Sequence, residues 1–91
     1  YGQKVIKQIL GIDGDRIWYD SKGVLYVNEQ MVGIPQTRAT DGRRLTSIDA
    51  QTIASGLVFL YAKHAQSFDS RYQEFGLVAI AELEGRVIPL L

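Results

Sequence analysis

Two short stretches of this chain carry side chains able to do chemistry. Lys7 stands in apolar company with Val5, Ile6, Ile9 and Leu10. A lysine accepts a proton only when neutral, and its ordinary pKa of about 10.4 keeps it charged at neutral pH. Apolar burial disfavours the ammonium and lowers that value. Reaching about 7 corresponds to roughly 4 to 5 kcal/mol of differential destabilisation of the charged form. A strand through residues 5–10 would give Lys7 the neighbours that base chemistry needs. The plainer reading is a lysine on the solvent face of a half-buried strand; Lys4, in similar company, has no assigned role. Far along the chain, Gln66-Ser67-Phe68-Asp69-Ser70-Arg71-Tyr72 sets a hydroxyl, a carboxylate and a guanidinium at alternate positions. A carboxylate and a guanidinium can pair bidentately, which fixes geometry as well as charge. Taken alone, this stretch also reads as a polar turn with a surface ion pair.

The elements that must position these residues are mostly strands and turns. Residues 5–10 are rich in β-branched side chains and read as a strand. Ile12-Asp13-Gly14-Asp15 reads as a tight turn, and residues 16–19 as a second short strand. Residues 24–28 and 31–34 flank Glu29-Gln30 as a hairpin. Residues 35–44, with Asp41-Gly42 at their centre, predict an exposed loop. Residues 45–55 fit either a helical turn or a short strand, and residues 57–62 a buried strand. Residues 65–75 read as a loop with one helical turn, and 77–83 as a core strand. Glu84-Gly85-Arg86 turns the chain into residues 87–91, whose Pro89 suits an edge. The expected fold is mainly β, with antiparallel sheets and partial closure into a barrel as one arrangement.

Composition narrows the function classes. Ninety-one residues suggest one domain of modest stability, and 46% apolar content is that of a globular chain. Ten basic and ten acidic residues give zero formal charge, which argues against a nucleic-acid footprint or docking on anionic lipid. With no cysteine, disulfides, thiolate zinc sites and cysteine nucleophiles are excluded; with one histidine, so is a multi-histidine metal site. The uncharged run 50–62 is shorter than a membrane-spanning helix needs. Tyr1 opens the chain in place of an initiator methionine, so the sequence is read as a piece of something longer.

The stretch Lys7-Gln8-Ile9-Leu10-Gly11-Ile12-Asp13-Gly14-Asp15 and the stretch 66–72 together resemble two signature boxes of the type I signal peptidases, which are serine–lysine peptidases. Lys7, Gly11, Gly14 and Asp15 keep that family's spacing of base lysine, apolar step, glycine and Gly-Asp turn. Gln8 and Asp13 depart from it, where the family usually has Arg and Pro. Gly23-Val24-Leu25-Tyr26-Val27-Asn28 resembles the strand that commonly follows. Ser67, Asp69 and Arg71 match the close of the second box, Ser-x-Asp-Ser-Arg. Residues 61–66 lack its polar opening, and this looser form is most like the conjugative-transfer signal peptidases, which mature pilin-like subunits.

The resemblance implies a general-base role for Lys7. It implies that Ser67 orients the lysine amine, and that an Asp69–Arg71 pair scaffolds the loop carrying Ser67. It further implies an enzyme held in a membrane by an N-terminal anchor, with its catalytic domain on the periplasmic or extracellular face. Its partner would be a precursor or pilin-like protein bound as an extended strand, without metal, cofactor or nucleic acid. The family's nucleophilic serine comes several dozen residues before its lysine, and six residues precede Lys7. The chain is therefore expected to be the C-terminal part of a catalytic domain, inactive until the serine segment is supplied. Two other readings stay open: a self-cleaving, repressor-type serine–lysine peptidase with an upstream DNA-binding domain, and a non-catalytic β-rich binding module.

Other residues invite weaker readings. His64 suits a surface or hydrogen-bonding role better than a catalytic one. Arg38, Arg43 and Arg44 read as a solvated basic loop. Trp18, Tyr19 and Tyr26 read as core or cross-strand residues. Ser21, Ser47, Ser55 and Ser70 lack a nucleophile's setting.

Overall fold

A computed structural model describes residues 7–63 and 67–83. Lys4, His64, the start of the first strand at residues 5–6 and the expected turn and edge strand at 84–91 lie outside them.

Each turn falls where a side chain or a glycine can hold it. Strand β1 (Gln8–Gly11) ends at a turn in which the Asp15 carboxylate accepts the Ile12 amide at 2.8 Å and Gly14 takes φ 85°. β2 (Arg16–Tyr19) ends at Asp20, whose Oδ1 accepts the amides of Lys22 and Val24 at 2.8 and 3.0 Å. β3 (Leu25–Val27) and β4 (Gln30–Gly33) form the expected hairpin, but its turn is Asn28-Glu29, one residue earlier than expected. Asn28 decides this. It tolerates φ 53°, its side-chain oxygen accepts the Arg16 amide, and its own amide donates to the Arg16 carbonyl. Residues 45–55 yield the two-residue strand β5 (Gln51–Thr52), and β6 (Leu57–Tyr61) follows.

The strands form the expected antiparallel sheets, β4-β3-β2-β5 and β1-β6-β7, which stay open among the described residues, so of the arrangements left open a closed barrel is not the one seen there. Alternation sorts the first sheet's faces. Ile17, Leu25, Val27 and Val32 point inward, where Ile48, Ile53 and Phe59 complete the core. Trp18, Tyr26 and Met31 form a cross-strand row on the outer face, with Trp18 stacked on Tyr26 at 4.5 Å. Gly11 sits where the sheets approach. A Cβ there would lie 2.8 Å from Ile53 Cδ1 and 2.9 Å from Val27 Cγ1.

The stretch 77–83 differs from the expected strand. Only Val78–Ala79 forms a strand, β7, and Ile80–Leu83 curls into one helical turn, α1, with no buried residue. The cause is lack of a partner. β7 pairs with Leu57 and Val58, the Ile80 amide bonds the Gly56 carbonyl, and β6 itself begins at a turn closed from Leu57 to Ala54. The ladder ends there, so the chain satisfies its next amides locally.

Candidate active site

The site is built on the far end of β6. β7 covers the edge of β6 only at its start, and residues 69–71 cover the remainder. The Ser70 amide donates to the Leu60 carbonyl at 3.0 Å, and the Ser70 hydroxyl accepts the Leu60 amide at 2.9 Å. The Asp69 carboxylate accepts the Ala62 amide at 2.8 Å, and Arg71 Nη2 donates to the Ala62 carbonyl at 3.0 Å. Ser70, set aside as a nucleophile, is fully buried and also donates to the Gly76 carbonyl, so it is a structural clasp.

Asp69 and Arg71 pair bidentately inside this arrangement. Nε donates to Oδ1 at 2.8 Å and Nη2 to Oδ2 at 2.7 Å. Asp69 is 0% exposed and Arg71 4%, so both charges depend on protein partners rather than water. Burial works against the Arg71 charge, but hydrogen bonds and charge from Asp69 more than offset it and hold its pKa above the usual value. Tyr72 is also buried, its hydroxyl accepts the Gln36 amide, and it pairs with Ser47 in an isolated bridge. The segment is thus tied to β6 on one side and to the loops at 36 and 47 on the other.

Lys7 reaches this segment across the sheet. Gln8 lies opposite Tyr61, so Lys7 enters β1 level with Ala62. Its amine donates to the Phe68 carbonyl at 3.0 Å and lies 5.5 Å from the centre of the Phe75 ring. Burial lowers the pKa of Lys7. The Asp69 charge pulls it up, and the Arg71 charge pulls it down again. These two effects oppose each other because the carboxylate and its paired guanidinium carry opposite charges. An unpaired Asp69 would favour the ammonium.

The structure therefore brings Lys7, Asp69 and Arg71 together. Ser67 is half-buried in the same segment, and its carbonyl lies 3.5 Å from Arg71 Nη2. Among the described residues its hydroxyl is not a partner of the Lys7 amine; that bond goes to the next residue's carbonyl. Phe68 and Phe75 carry no polar side chain, and nothing in their sequence setting marked them. Their rings meet edge to face at 5.3 Å, with the Phe75 ring beside the amine. Arg43, read as part of a solvated loop, packs its guanidinium over the Phe68 ring at 5.9 Å, while Arg38 bonds the Gly42 carbonyl within its own loop. Open grooves beside the hairpin tip are lined by Arg16, Trp18, Asn28 and Glu29 and by Leu10, Val27 and Gln30; Lys7 and residues 67–71 line neither. Among the described residues no three His, Cys, Asp or Glu side chains lie together as metal ligands would.

No curated protein matches the chain. The family profile described as signal peptidase, peptidase S26, matches residues 1–91. That match runs the whole length of the chain, through both the lysine strand and the Asp69–Arg71 segment, and the chain belongs to the signal peptidase family, a family of serine peptidases.

Proposed function

We propose that this chain supplies the base half of a serine–lysine endopeptidase that cuts exported precursor proteins. The observation that carries this reading is the Lys7 amine, half-buried, seated on the Phe68 carbonyl and beside a charge pair whose two effects on it oppose each other. Neutral Lys7 takes the proton of a serine hydroxyl as that oxygen attacks the scissile carbonyl. Backbone amides stabilise the resulting oxyanion. The ammonium then protonates the leaving amine, which departs and leaves an acyl-serine ester. Lys7 next takes a proton from water, which attacks the ester; collapse returns the proton to the serine. The proposed nucleophile is a serine on a segment that precedes the lysine in the complete protein.

An extended substrate fits this arrangement, because among the described residues β1 is the outer strand of its sheet and has Lys7 at its entrance. Pilin-like precursors of conjugative transfer are the proposed substrates. The complete enzyme is proposed to be membrane-anchored with this domain outside the cytoplasm. Among the described residues no helix is long and apolar enough to cross a membrane.

The test is cleavage of a signal-bearing precursor by the complete protein and by its Lys7→Met variant. Loss of general-base catalysis predicts a fall in kcat/KM of about 10²- to 10⁴-fold. Full activity in K7M would overturn the assignment.

A further inference from the structure

We propose that Phe75 is a positioning residue of this site: its ring and the Phe68 carbonyl form a two-sided seat that fixes the Lys7 amine and shields it from water. The inference rests on the base reading of Lys7 and adds a residue to it.

Two groups lie at the amine. The Phe68 carbonyl takes one N–H at 3.0 Å, and the Phe75 ring centre lies 5.5 Å from Nζ. A neutral amine can still donate one hydrogen to that carbonyl. Doing so leaves its lone pair directed elsewhere, available to a hydroxyl. A ring face against the amine occupies volume that water would otherwise take. It attracts an ammonium weakly through its quadrupole, but it offers no hydrogen bond to replace those of water.

Phe75 is itself held from several directions. The amides of Phe75 and Gly76 both donate to the Tyr72 carbonyl, at 3.1 and 2.8 Å. The Ser70 hydroxyl donates to the Gly76 carbonyl at 2.8 Å, and Gly76 takes φ 78°, which closes the turn behind the ring. Phe68 braces the ring edge to face, at 86° between planes. The turn is buttressed at Glu74, whose carboxylate accepts the Thr46 amide at 2.9 and 3.1 Å. The seat is therefore a consequence of the buried 69–72 segment.

Among the described residues the charged groups bearing on the amine are Asp69 and Arg71, which oppose one another; Arg43 lies over the outer ring, Phe68, instead of over Phe75. A substitution at Phe75 leaves all three in place. Its effect on the amine then reports on shielding rather than on charge.

The experiment is an NMR titration of Lys7 in the complete protein, observed through its ε-methylene, in the native chain and in Phe75→Ala and Phe75→Leu. In F75A the lysine pKa is expected to rise towards the ordinary value of about 10.4. The acid limb of the kcat/KM profile should move to higher pH by the same interval, with the alkaline plateau largely retained. A residue needed only for folding would lower the plateau without moving the limb. F75L conserves bulk and keeps the protein folded should F75A fail to fold. There the upfield ring-current shift of the Lys7 ε-protons, expected in the native protein, should disappear. An unchanged Lys7 pKa in F75A, or no ring-current shift to lose, overturns the proposal. Failure of the base reading looks different: K7M would cleave normally while F75A still moved the lysine pKa.

Discussion

Asp41-Gly42-Arg43 and Asp69-Ser70-Arg71 are the same chemical unit, a carboxylate and a guanidinium two residues apart, in opposite surroundings. In both, the arginine amide donates to Oδ1 of the aspartate, at 3.1 and 3.0 Å, and Nε donates to the carboxylate as well. Local spacing is enough to make either pair. What differs is the third party. The first pair has side chains 58% and 66% exposed and shares its charges with water. The second has side chains 0% and 5% exposed, and Ala62 at the end of β6 receives a hydrogen bond from the guanidinium and gives one to the carboxylate. A short motif becomes a scaffold when a strand end supplies the backbone partners that water would otherwise supply.

The largest effect should come from leaving one buried charge alone. Arg71→Met removes the partner of a carboxylate that is fully buried, a change that costs about 3 to 5 kcal/mol in such settings. Urea unfolding should show most of a small domain's stability lost in R71M, and the midpoint unchanged in Arg43→Met. Equal shifts in the two variants would abolish the distinction.

A second measurement sharpens it at the lysine. Where R71M remains folded, Asp69 is no longer matched, and its charge should raise the Lys7 pKa and carry the acid limb of activity to higher pH. R43M should leave the lysine titration where it is, since the charges acting on Lys7 are those of Asp69 and Arg71.

The smallest effect belongs to the exposed carboxylate. The Arg43 backbone amide, with the Arg43 side chain, holds the Asp41 carboxyl below the usual range. A depressed carboxylate contributes stability that is complete above its unfolded value of about 3.9 and is lost as pH falls through its folded value. Asp41→Asn should therefore narrow the gap between urea midpoints at pH 5 and pH 3 slightly. A wide narrowing would mean that the exposed pair is more than a solvated turn.

Much of the framework could be read from residue order. Arg16–Tyr19 is the expected second strand, and the hairpin missed its turn by one residue because Asn28 hooks onto Arg16, a contact twelve positions away. The Asp69–Arg71 pairing is local and was visible. Its burial was not, because Ala62 and Leu60 provide it from another strand. The same holds for Phe75. A phenylalanine five residues after Ser70 says nothing about lysine chemistry until β1 and β6 bring Lys7 beside it. Residues 77–83 read as a strand from apolar content, and the shortness of β6 at its start decided otherwise.

Gly11 bears on this in another way. It closes the strand that Lys7 precedes, and it abuts Ile53 and Val27 with no room for a methyl group. The seam between the two sheets therefore meets the same short strand that leads back to Lys7. A side chain forced in at Gly11, remote from Phe68 and Phe75, is expected to disturb the strand on which Lys7 depends without touching the amine.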